Sequence, residues 1–188
     1  MTKEISGIIP VMLTPFTDDN KIDFNGYGAL IECYLDNGAE AMFAVCQSSE
    51  MQFLSLEERV DLARFTVERV AGRVPVMASG HVSDGLEDQK TELAAMIETG
   101  VDAIVLVTNR LDSRQEGADS FRSHLDALLA FLPEDMPLGL YECPAPYRRL
   151  LSDAEVTYCA NTGRFIIVKD VSCDLETVKR RIALVEGT

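Results

Sequence analysis

Phe165-Ile166-Ile167-Val168-Lys169-Asp170 is an apolar run closed by a lysine and an aspartate. It is short, rich in β-branched residues, and bounded on its N-terminal side by Gly163, so it reads as a strand buried on both faces. A lysine at the end of such a strand has two readings. Its stem can lie on apolar surface while its ammonium reaches water. Alternatively it is desolvated, which favours the neutral amine, a nucleophile toward carbonyls. The run alone leaves both readings open.

Similar runs recur on either side, separated by amphipathic stretches. Residues 5–13 read as a first strand and 24–37 as a helix, with Leu30, Ile31, Tyr34 and Leu35 at helical spacing before Gly38. Residues 40–46 read as a second strand. Ser55 and Glu58 form a capping box for a helix running through Val70 to a stop at Gly72. A third strand at 74–78 precedes a helix at 85–99, and a fourth at 102–107 precedes a helix at 117–131. A fifth strand, 138–141, leads to a helix capped by Ser152 and Glu155, and the sixth, 165–169, to a helix at 174–186.

These are six βα units in series, spanning about residues 5–187. Apolar strands alternating with amphipathic helices predict an α/β fold with a parallel sheet. A doubly wound open sheet and a (β/α)8 TIM barrel compete. The open sheet that binds a dinucleotide carries a glycine fingerprint after its first strand. Here Leu13-Thr14-Pro15-Phe16 stands instead, and there is no P-loop. Polar residues follow the strand ends: Thr14, Gln47-Ser48-Ser49-Glu50, Gly80-His81, Thr108-Asn109-Arg110, Tyr141-Glu142 and Lys169-Asp170. In a barrel these ends share one mouth, the place of active sites. Loops are polar in any fold, but that does not explain a tyrosine and a lysine closing consecutive strands.

The bulk numbers exclude several classes. A net charge of −14 argues against nucleic-acid binding and against anionic membranes. There is no apolar run of membrane-spanning length, and Met1–Gly7 lacks the apolar core of a signal peptide. Five widely spaced cysteines without a CxxC fit reduced thiols, and the expected location is cytoplasmic. His81 and His124 are too far apart in sequence to suggest a zinc site, so no metal is expected.

The chain resembles the dihydrodipicolinate synthase / N-acetylneuraminate lyase family of class I aldolases. Gly7-Ile8-Ile9-Pro10-Val11-Met12-Leu13-Thr14-Pro15-Phe16 is similar to the family's opening strand. Cys46-Gln47-Ser48-Ser49-Glu50 with Leu54-Ser55-Leu56-Glu57-Glu58-Arg59 is similar to its Gly-Thr-Thr-Gly-Glu…Leu-Ser-x-Glu-Glu-Arg stretch. Leu140-Tyr141-Glu142-Cys143-Pro144 resembles Tyr-Asn-x-Pro, and Val168–Leu175 the Schiff-base strand with its following loop.

The resemblance implies a lyase acting on pyruvate or a related 2-oxo acid. Lys169 would form the imine, and Tyr141 would move the proton. Gln47, Ser48 and Ser49 would bind the carboxylate or relay protons, Ser48 being the better positional match. No metal or organic cofactor is implied, because the imine is itself the electron sink. A homo-oligomer, dimer or tetramer, is implied as well. Other readings stay open: Tyr141 as a core aromatic, Ser48 and Ser49 as turn residues, Glu50 as structural, and His81 as a loop residue.

Three departures qualify the resemblance. Val107–Asp112 lacks the family's Pro-Tyr-Tyr-Asn run. Pro146-Tyr147-Arg148 stands where synthases carry Arg-Thr-Gly, with Arg148 or Arg149 as substitutes for the substrate-binding arginine. These two point to a paralogue rather than the true synthase. The third is length: a closed barrel runs to about 250 residues, so residues 1–188 are expected to form a single barrel domain lacking its last two βα units. Two rivals remain, a sugar-acid hydro-lyase using the same imine and a non-catalytic barrel that binds a small acid or a protein partner.

Overall fold

The computed structural model describes residues 5–186. Its helices and strands alternate: α1 (Phe24–Asp36), β1 (Met42–Phe43), α2 (Leu56–Val70), β2 (Val76–Ala78), α3 (Leu86–Ile97), β3 (Ala103–Val107), α4 (Ala118–Leu129), β4 (Leu138–Tyr141), α5 (Asp153–Asn161), β5 (Phe165–Lys169) and α6 (Leu175–Val185). The strand order is β1-β2-β3-β4-β5. The chain divides into two compact units: residues up to Val82 with Thr91–Ile104, and Ser83–Lys90 with the residues from Val105 on.

In the first unit β1 pairs with β2 and β2 with β3, all parallel. The expected first strand is reduced to one parallel bridge, Val11 to Phe43. Phe43 N–H donates to the Pro10 carbonyl at 3.0 Å, and Met12 N–H to the Phe43 carbonyl at 3.0 Å. Pro10 has no N–H to extend the ladder. Asp23 caps α1, its carboxylate accepting from the backbones of Asn25 and Gly26, both at 3.0 Å. The Ser55–Glu58 box forms as expected: Ser55 N–H donates to Glu58 Oε2 at 2.8 Å and Glu58 N–H to Ser55 Oγ at 3.2 Å. α2 closes one residue before the expected glycine, on Ala71 in the left-handed region at φ 51°.

In the second unit β4 and β5 pair in parallel with Tyr141 opposite Lys169. Gly139 permits the close approach: a Cβ there would lie 2.7 Å from Ile167 Cγ2 and 3.2 Å from Val105 Cγ2. The Ser152–Glu155 box caps α5, with Ser152 N–H donating to Glu155 Oε2 at 2.8 Å. β3 and β4 are buried throughout, as near-continuous apolar strands should be. β5 differs from the expected fully buried strand. Ile166 and Val168 are 48% and 40% exposed, since β4 is its one strand partner among the described residues.

Candidate active site

Two strand ends carry the expected lysine and tyrosine. Tyr141 closes β4 and is buried, and Lys169 closes β5 and is half-buried. Their strands are in register at these residues, and Lys169 Nζ lies 4.0 Å from the centroid of the Tyr141 ring. That is a cation–π contact in geometry. It also brings the amine and the phenol-bearing ring to adjacent strand ends. Glu142 N–H donates to the Lys169 carbonyl at 3.3 Å, extending the pairing one step further.

The next residue on each strand belongs to a buried ionic network. Glu142 is fully buried. Its Oε1 accepts from Leu151 N–H at 2.6 Å and from Arg181 Nη2 at 2.6 Å. Its Oε2 accepts from Val171 N–H at 3.1 Å and from Arg181 Nη1 at 3.1 Å. Arg181, on α6, also pairs with Asp170 and donates to the Leu151 carbonyl at 2.7 Å. Burial works against the Asp170 carboxylate. Hydrogen bonds from the Ser172 hydroxyl and backbone, together with Arg181, outweigh it and hold its pKa below the ordinary carboxylate value.

The loop after β4 is anchored to the loop after β3. The Asn109 amide donates to the carbonyls of Cys143, Ala145 and Tyr147 at 2.8, 2.9 and 2.7 Å. Thr108 Oγ1 donates to the Arg149 carbonyl at 2.9 Å. Arg149 pairs with Asp112 at 3.2 Å and Glu155 at 2.6 Å, and its guanidinium stacks 4.5 Å from the Phe121 ring. It therefore holds α4, α5 and the loop together instead of standing as a free anion-binding group. Arg148 is exposed, and its Nη2 donates to the carbonyls of Val171 and Ser172 at 2.6 and 2.7 Å.

The first unit carries the other expected residues. Gln47–Ser49 form a 3-10 turn after β1. Ser49 is buried. Its hydroxyl accepts from Cys46 N–H at 3.2 Å and faces the carbonyls of Met12 at 2.8 Å and Ala44 at 3.1 Å. Ser48 is exposed and Gln47 half-buried. Glu50 follows in the left-handed region at φ 61°, its backbone N–H closing the turn on the Gln47 carbonyl at 2.8 Å. His81 lies in the loop after β2, as expected, and is fully buried there. Tyr141 and Lys169 thus come together in one unit, and Gln47, Ser48 and Ser49 come together in the other. Among the described residues no group of His, Cys, Asp or Glu is placed to hold a metal ion, and no helix is long and apolar enough to cross a membrane.

Sequence reasoning placed Glu142 and Asn109 only among the polar strand-end residues, without their partners, and did not single out Arg181. One signal for Arg181 was present: it interrupts the apolar positions Val178, Ile182 and Val185 of α6 at helical spacing.

The model of the dihydrodipicolinate synthetase family matches residues 4–187. The chain belongs to this family. The 4-hydroxy-tetrahydrodipicolinate synthase of Bacillus subtilis (strain 168) is 32% identical over 174 residues, covering 92% of this chain and 58% of the relative. A dihydrodipicolinate synthase structure from Bacillus anthracis superposes with a TM-score of 0.84 at 27% identity, covering 97% of this chain and 61% of that one. A prophage protein of the family from E. coli K12, solved in complex with pyruvate, gives a TM-score of 0.84 at 25% identity, covering 96% and 59%. The chain spans about three fifths of the length of these relatives. Its fold is accordingly a partial (β/α) barrel of the family's kind.

Proposed function

We propose that the chain carries the catalytic pair of a class I aldolase-type lyase acting on pyruvate or a related 2-oxo acid. The observation that carries this reading is Lys169 Nζ at 4.0 Å from the Tyr141 ring, at paired ends of adjacent parallel strands. The Lys169 amine adds to the ketone carbon, and loss of water gives the imine. The protonated imine draws electrons from the neighbouring carbon. A proton or carbon substituent there leaves as the enamine forms, and the reverse step makes the new bond. Tyr141 carries the proton to and from the adduct.

The family resemblance implies Gln47 and Ser48 as carboxylate contacts or proton relays, and Ser48 is exposed on its turn. Ser49 shapes that turn through its buried hydroxyl. The Asn109 anchor and the engaged Arg149 support an acceptor other than the synthase's aldehyde, that is, a paralogue. The same commitment leaves room for the second reading, dehydration of a sugar acid through the same imine. Parallel retro-aldol and dehydration assays on a sugar-acid panel separate the two.

The test of the main reading is intact-mass spectrometry after incubation with pyruvate and borohydride, followed by peptide mapping. A reduced pyruvyl adduct on Lys169 is the expected result. An unmodified protein, or an adduct on another lysine, would sink it.

A further inference from the structure

We propose that Arg181 and Glu142 are positioning residues for the lysine–tyrosine pair. A buried guanidinium–carboxylate link joins the residue after Tyr141 to the residue after Lys169, and so fixes the separation of amine and phenol. This role rests on the Schiff-base reading above.

Successive side chains of an extended strand point to opposite faces. With Tyr141 and Lys169 in contact on one face, Glu142 and Asp170 project to the other, where α6 presents Arg181. The single carboxylate of Glu142 gathers backbone donors from both sides, Leu151 N–H from the β4 loop and Val171 N–H from the chain leaving β5. Arg181 then closes the link with a two-pronged contact to Glu142 and a further pair to Asp170. A planar guanidinium fork sets direction as well as distance, which an ammonium cannot do.

Simple attachment of α6 to the sheet does not require charge. Apolar side chains of similar volume would attach it without the desolvation cost of buried ions. Charge in this place holds the two strand ends at one fixed spacing. The carboxylate is also this chain's own feature, since Glu142 stands where the family resemblance has asparagine.

The experiment uses the 188-residue chain with Arg181→Met and Glu142→Gln, the second being the milder change. Two readouts are taken on protein whose circular dichroism matches the parent. The first is the rate of borohydride trapping against pyruvate concentration. The expected result is a fall of about a hundredfold in the saturating rate, with the half-saturating pyruvate concentration within about threefold of the parent. The second needs no pyruvate: trace acetylation of Lys169 relative to the exposed Lys179, read by peptide mapping. The expected result is a changed Lys169/Lys179 ratio in both variants.

Folded variants with parental trapping and parental labelling would overturn the proposal. Failure of both variants to fold would overturn it too, assigning the pair to stability alone. If the parent itself traps no pyruvate, the Schiff-base reading fails, and the labelling ratio by itself decides whether the link positions Lys169.

Discussion

The turn after β1 and the paired ends of β4 and β5 both present polar side chains just beyond a strand's C-terminal end, and they are held by different physics. The turn relies on neutral bonds. The Ser49 hydroxyl is buried among backbone groups and leaves its neighbour Ser48 exposed. The β4–β5 ends rely on charge, with Arg181, Glu142 and Asp170 buried or half-buried behind Tyr141 and Lys169. A neutral turn tolerates the loss of one bond. A buried ionic network does not, because removing one member strands the others in low dielectric.

The difference is broken most directly at Arg181. Arg181→Met leaves Glu142 buried without its cation, and unfolding in urea should show a loss of about 3–5 kcal/mol. A loss below about 1 kcal/mol, typical of exposed pairs, would erase the contrast. Ser49→Ala comes next. Without the hydroxyl, Cys46 N–H loses its acceptor, at a cost of about 1–3 kcal/mol. Ser48→Ala, at an exposed position, should change stability by under about 0.5 kcal/mol while lowering turnover. Equal stability losses at the two serines would show that the turn is not organised around Ser49.

The smallest effect concerns pH. The Asp170 carboxylate is held below its ordinary pKa, so its contribution to stability is fully present above about pH 4, the unfolded value. It is lost as pH falls through the lowered folded value. Asp170→Asn should therefore flatten the acid limb of the melting-temperature profile below about pH 4 and leave the slope near neutrality unchanged. An unaltered acid limb would remove Asp170 from the network.

Local signals made most of the fold legible. Both capping boxes form where Ser55-Leu56-Glu57-Glu58 and Ser152-Asp153-Ala154-Glu155 stand. The expected strands 138–141 and 165–169 match β4 and β5. The first strand was overstated because apolar residues around Pro10 satisfy the pattern while the ladder lacks a donor there. The placement of Tyr141 and Lys169 at adjacent strand ends was legible because each closes its own apolar run.

The pairing of Glu142 with Arg181 was not legible, since the two lie 39 residues apart; the sequence marks only Arg181's place on the apolar face of α6. The Asn109 anchor was hidden for the same reason, because its three acceptors are backbone carbonyls that any residue supplies. The hydroxyls of Ser48 and Ser49 look equivalent in sequence, and only the turn geometry separates a buried one from an exposed one.

The most direct test of the lysine–tyrosine pair is exchange of the pyruvate methyl protons in deuterated water, followed by proton NMR. In the proposed mechanism the enamine requires Lys169 to form the imine and Tyr141 to move the proton. The parent should exchange well above the buffer rate, Tyr141→Phe should be slower by about 10²–10⁴-fold, and Lys169→Ala should not exceed buffer. Exchange that persists in Lys169→Ala, or a parent no faster than buffer, would contradict the account.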